Sequence, residues 1–163
     1  LHYAINALST GNTPQASLPS QIPQLDLDVV CYGVTAPSGQ LAASIPPDYV
    51  EDAEIRVQTY QRLNSIRTLA EVEELSRECE DRFGPLPEAT HNLLNTVRLR
   101  VLATDAGFSR VRLYKGRAIL EKNADDESSP DSRLETFPLG RSEPLAQLDE
   151  LEKILSNYGS NSL

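Results

Sequence analysis

Catalysis needs polar groups that converge on one point, and this sequence offers few of them. Glu71, Glu73, Glu74, Glu78, Glu80 and Asp81 crowd one stretch of chain. Paired carboxylates can serve general acid–base or glycosidase chemistry, but on a helix such a run is ordinarily a solvated face. Glu78, Asp81 and Arg82 are more specific. At spacings of three and four they project from neighbouring positions of one helical face. A Glu–Arg pair at that spacing contributes only about 0.2–0.5 kcal/mol to a helix. The residues alone therefore favour plain helix support over a polar docking face, and both readings stay open.

Other chemistry is thinly represented. His2 and His91 are the only histidines, and His91 has no cysteine or second histidine at ligand spacing. The chain contains no G-x-x-x-x-G-K-[ST] phosphate loop, no G-x-S-x-G elbow and no G-x-G-x-x-G turn. No cofactor, metal or catalytic residue is expected. Cys31 and Cys79 cannot form a disulfide framework or a four-cysteine zinc site. Their apolar neighbours predict reduced, buried thiols.

Charge is uneven along the chain. The segment 98–122 holds seven basic residues against Asp105 and Glu121, a local +5 in a chain of net charge −9. Arg98, Arg110, Arg112, Lys115 and Arg117 form a basic contact patch if they converge. With only Phe108 and Tyr114 interleaved, a solvated face or a complement to an acidic protein surface is favoured over a nucleic-acid contact. The overall acidity argues against whole-molecule attraction to nucleic acid or an anionic membrane.

The 163 residues are 39% hydrophobic, 24% charged and 6% aromatic, enough for one real core. No apolar run approaches the roughly 18 residues of a membrane span, and no signal-peptide pattern opens the chain. A cytoplasmic protein, monomeric and free of membrane, is the expectation. Methionine is absent, even at position 1. An interior piece of a longer polypeptide is the simplest reading.

The elements that must position these residues follow from periodicity and punctuation. Residues 1–24 are expected to be the end of a helix followed by a Pro-, Ser- and Gln-rich linker. Residues 25–163 are expected to form a single domain. Leu25, Leu27, Val29 and Cys31 alternate with polar neighbours, as do Leu41, Ala43 and Ile45 across the Ala36–Gly39 turn, predicting a hairpin. Asp52 caps a helix with Ala53, Val57, Tyr60 and Leu63 on its inward stripe. Thr68 and Glu71 form a capping box for a second helix, whose stripe runs Leu69, Val72, Leu75, Cys79, Phe83 before the Gly84 stop. Phe83 is expected to be a core anchor and not a contact residue. A third helix runs from about 87 to 106. A hairpin turning at Lys115-Gly116 follows, then an acidic loop at 122–132, a short strand near 133–137, and a last helix capped by Ser142 and ended by Gly159. The expected fold class is α+β, a three-helix segment packed with antiparallel β-hairpins plus a C-terminal helix.

Several fragments, in this order, resemble one family. They are Ile45-Pro46-Pro47-Asp48-Tyr49-Val50; Arg56, Tyr60 and Leu63; and Glu78-x-x-Asp81-Arg82-Phe83-Gly84-x-x-Pro87. The chain is similar to the C-terminal domain, the TRCF domain, of bacterial transcription-repair coupling factors. That family reads I-P-x-x-Y-[IV], R-x-x-x-Y-[RK]-[RK]-[LI] and E-L-x-D-R-[FY]-G-x-x-P. Gln61 departs at one basic position and Cys79 at the Leu beside Glu78. Leu93-Leu94 and Arg98 with Arg100 look like the family's following helix. The resemblance covers residues 25–120.

The resemblance implies a non-catalytic, autoinhibitory module at the end of an ATP-driven DNA translocase. In that family the domain docks on the parent's own N-terminal UvrB-like module, covers the UvrA-binding surface and restrains translocation until RNA polymerase is engaged. Under it, Glu78, Asp81 and Arg82 fall on the motif of the docking contacts. UvrA and RNA polymerase are then partners of the parent, and no direct DNA binding is expected of this chain. The alternative is a nucleic-acid-contacting module that uses the basic 98–122 segment.

Overall fold

The computed structural model describes residues 22–123 and 133–161. The expected helix end at 1–8, most of the linker and most of the acidic loop lie outside the described residues. Strands β1 (Gln24–Leu27), β2 (Val30–Cys31) and β3 (Leu41–Ala42) are followed by helices α1 (Ala53–Ser65), α2 (Leu69–Phe83) and α3 (Glu88–Asp105). Strands β4 (Phe108–Tyr114), β5 (Arg117–Lys122) and β6 (Leu134–Pro138) and helix α4 (Pro144–Asn161) complete the order. Segregated strands and helices make this an α+β fold.

The main sheet runs β1-β4-β5-β6. β4, β5 and β6 form the expected antiparallel meander. Its first turn places Lys115 at φ +48° and Gly116 at φ +72°, the left-handed pair that a two-residue hairpin turn requires.

The first predicted hairpin does not form. β1 lies parallel to β4, pairing Leu25 with Val111 and Leu27 with Leu113. β2 lies parallel to β3, pairing Val30 with Leu41. The period-two pattern was real, but alternation reports which face is buried and says nothing about the neighbouring strand. Asp28 breaks the run after Leu27: its N–H bonds Leu113 O, while its carboxylate accepts from the Lys115 N–H at 2.8 Å. The 32–40 loop then returns the chain in the same direction, so a hairpin is excluded.

Helix boundaries follow their caps. Asp52 accepts from the N–H groups of Glu54 and Ile55, and Thr68 from that of Glu71. The Glu71 carboxylate reaches back to the Arg67 N–H at 2.7 Å. Pro87 stands at the cap of α3 and not within its first turn. α4 passes through Gly159 and ends two residues later. α1 is less amphipathic than its pattern implied: only Thr59 and Leu63 are buried, and Val57 is 55% exposed. The inward stripe of α2 is as expected, with Val72, Leu75 and Cys79 buried, and α3 buries Leu94, Val97 and Val101.

Val111, Leu113, Ala118 and Leu120 fill the inner face of the sheet, packed with Leu148, Leu151 and Leu155 of α4 in one core. Tyr158 closes it edge-on against Phe108 and Phe137, at 5.2 and 6.2 Å between centroids. Arg110, Arg112, Tyr114, Arg117 and Ile119 take the opposite parity and face solvent. All described helices lack the length and apolarity to cross a membrane.

Candidate docking site at the end of the second helix

The fragments of the I-P-x-x-Y and R-x-x-x-Y patterns converge on one place, and most of them are scaffold. The Tyr49 hydroxyl donates to Cys79 O at 3.1 Å and Gly84 O at 2.9 Å, tying the loop after β3 to the last turn of α2. The Tyr60 hydroxyl accepts from the Ile45 N–H at 2.7 Å. Arg56 donates to the carbonyls of Val50 and Glu51. Phe83 stands edge-on to Tyr49 at 5.8 Å. Gly84 carries φ +92°, which lets the chain leave the helix there without strain. Burial pushes the Tyr49 phenol up to about 12, with Cys79 and Glu80 adding to the shift. Burial likewise raises the Cys79 thiol. Phe83 is partly buried and packs against the core.

On this pedestal sits the charged group. Glu78 bridges two helices: Oε2 accepts from Arg62 of α1 at 2.7 Å and Oε1 from Arg82 at 3.3 Å. The Arg62 hydrogen bond is the largest influence holding the Glu78 carboxyl below its ordinary value, with Arg82 assisting and burial opposing. The Arg82 guanidinium also lies 4.9 Å from the Phe83 ring centroid. Asp81 is exposed and has no ion pair among the described residues. Glu78, Asp81 and Arg82 are thus brought together at one exposed helix end. Arg62 belongs to the same cluster and was missed, because its partner is 16 positions away in sequence. The bridge between helices goes beyond the helix support that spacing alone suggested.

The basic segment does not converge as a unit. Arg98 lies on α3, clamped between Glu73 of α2 and Glu152 of α4. Arg100 donates to Leu63 O and Ile66 O at the end of α1, and burial lowers its pKa. Arg110 pairs with Asp26 at 2.7 Å and Lys122 with Glu135 at 2.9 Å. Arg112, Lys115 and Arg117 remain together at the Lys115-Gly116 end of the sheet's outer face. Cys79 is buried as expected, whereas Cys31 is only half-buried, its thiol 3.7 Å from Thr35 O. His91 sits in the first turn of α3, and no group of His, Cys, Asp and Glu fit for a metal occurs among the described residues.

These features coincide with one known family. The TRCF domain matches residues 40–133. Relatives described as transcription-repair-coupling factors include one from Haemophilus influenzae, 31% identical over 131 residues and 80% of this chain. Another, from Escherichia coli K12, is 30% identical over 122 residues and 74% of this chain. The matched region is 10% of the length of each of these proteins. A crystal structure of the C-terminal domain of transcription-repair coupling factor shares the fold, with a TM-score of 0.65 at 15% identity. That match covers 88% of this chain and 98% of the other. The motifs that build the pedestal and carry the charged cluster all lie inside the matched region, and the chain belongs to the TRCF domain family.

Proposed function

We propose that this chain is the non-catalytic regulatory domain of a transcription-repair coupling factor acting in DNA repair. Residues 25–163 form the regulatory unit, following a connection at 1–24 from the parent's motor region. In this reading the domain docks on the parent's N-terminal UvrB-like module. There it masks the UvrA-binding surface and restrains ATP-driven translocation until RNA polymerase engages. The observation that carries the reading is the exposed Glu78–Arg82 pair, held by Arg62 beside Asp81, which has no ion pair among the described residues. Such a group presents both charges in fixed geometry on a rigid pedestal, so little side-chain ordering remains to oppose docking. Charge-assisted hydrogen bonds of this kind supply orientation as well as energy.

A titration of this chain against the isolated N-terminal module of its parent tests the proposal. Saturable binding, weakened at least tenfold by Glu78→Ala at little-changed melting temperature, is expected. Failure of the unaltered chain to bind would overturn it. The purified chain should show no ATP turnover, since it has no phosphate loop.

A further inference from the structure

We infer that the outer face of the β1-β4-β5-β6 sheet is a second interaction surface, shaped for an acidic protein segment that carries apolar side chains. It is independent of the cluster on α2. Among the described residues the helices pack on one side of the sheet, and the other side presents a face of side chains. Register places them in rows across the strands. Tyr114, Arg117 and Pro138 form one row, and Arg112, Ile119 and Thr136 the next. Arg110, Glu121 and Leu134 form a third. Tyr114 and Leu134 on this face are each 53% exposed.

The charges on this face are selective. Arg110 is neutralised by Asp26. Arg112 and Arg117 have no ion-pair or hydrogen-bond partner among the described residues. Lys115 joins them from the turn, its ammonium 5.2 Å from the Tyr114 ring centroid. The exposed positions of α2 include Glu73, Glu74, Glu80 and Asp81. The molecule is thus acidic on α2 and locally basic on its sheet, although its net charge is −9.

The partner follows from what surrounds the cations. A nucleic-acid strand wants a cationic track with successive rings for stacking. Here Asp26 and Glu121 interrupt the track, and the single exposed ring is already faced by Lys115. Each unpaired arginine has an apolar neighbour in its own row, half-buried Ile119 beside Arg112 and exposed Pro138 beside Arg117; Asp26, on the other side of Arg112, is engaged by Arg110. An extended segment whose acidic and apolar side chains alternate at every second position, and so share one face, meets both, with complementary charge setting its orientation.

The test uses this chain with a dye-labelled peptide of repeating Glu-Ser-Val-Ser, which puts Glu and Val on one face, followed by fluorescence anisotropy and by amide shifts in the NMR spectrum. Saturable binding with shifts on β4, β5 and β6 is expected, weakening as salt rises. Arg112→Glu and Arg117→Glu should each weaken it several-fold, and together about tenfold or more. Arg77→Glu, an exposed charge reversal on α2, should change it less than twofold, which separates a local site from net charge. Melting temperatures of the variants show that the fold is retained. A thymidine oligomer that binds more tightly than the peptide would overturn the proposal in favour of nucleic acid. Absence of peptide binding, or shifts confined to the helices, would overturn it outright.

Discussion

Tyr49 shows how one side chain can hold a site without belonging to it. Its hydroxyl donates to two carbonyls at the end of α2, and its ring braces Phe83. Tyr49→Phe keeps the ring and strands both carbonyls, so a loss of about 1–2 kcal/mol in urea denaturation is expected. The same group imposes a pH signature. Its pKa stands at about 12 in the folded chain against an ordinary 10.0, so the contribution is whole below pH 10 and is lost as pH rises towards 12. The Cys79 thiol, also raised, adds to this alkaline loss from about its ordinary value of 9.0 upward. Stability measured from neutral pH to pH 12 should fall less steeply in Tyr49→Phe than in the unaltered chain; parallel slopes would remove the phenol from the account. Phe83 belongs to the same joint. Being partly buried, it should lose about 2–3 kcal/mol as Phe83→Ala, at or below the lower end for an enclosed ring. A loss under about 0.5 kcal/mol would show that Tyr49 does not need its edge-on partner.

At the scale of elements, the joint between α1 and α2 depends on Arg100. Its guanidinium donates to Leu63 O and Ile66 O, while Arg67 donates to Asn64 O and Ile66 O, so two arginines satisfy the carbonyls that end α1. Arg100→Ala should cost about 1.5–3 kcal/mol in equilibrium unfolding, since the carbonyls it leaves are partly buried. It should leave binding at the sheet face unchanged. This role was not legible in the sequence, where Arg100 is one more charge in a basic run; the carbonyls it serves lie 34 and 37 positions earlier. What was legible was local. Caps at Asp52 and Thr68, the stop at Gly84 and the Lys115-Gly116 turn fix their own surroundings within a few residues, and all of them hold. The strand partners of Leu25 and Val30 depend on where the chain returns after long excursions, which no local pattern carries. Val57 fails for a related reason. It takes an apolar position on a helix that buries only a narrow stripe, so period alone overstates what the core can cover. The Glu78 cluster was half legible: Asp81 and Arg82 are helical neighbours, whereas Arg62 arrives through packing.

For the whole molecule, the two charged faces point to a domain that can hold one partner through α2 while its sheet remains open. The proposed closed state of the full-length protein depends on the first face. When Glu78 and Arg82 dock, both lose water, and truncating either leaves opposing groups buried and unpaired. Such a loss at an interface typically costs about 2–5 kcal/mol. At the lower figure the closed-to-open ratio shifts by roughly thirtyfold, because 1.4 kcal/mol is a factor of ten. Full-length Glu78→Ala and Arg82→Ala should therefore bind UvrA more tightly and hydrolyse ATP faster in the absence of polymerase. Arg82→Ala also gives up the contact with the Phe83 ring, about 0.5–1 kcal/mol of local stability. Glu78→Ala gives up only ion pairs of exposed side chains, so it separates the switch from the fold more cleanly. Arg112→Glu and Arg117→Glu in the same full-length protein should leave UvrA affinity as it was, because neither side chain bonds to the α2 cluster. The decisive measurement is UvrA affinity across the four variants beside their melting temperatures. Unchanged affinity in Glu78→Ala with unchanged stability would remove the α2 cluster from the switch. A rise in Arg112→Glu equal to that in Glu78→Ala would make the effect one of net charge and not of docking.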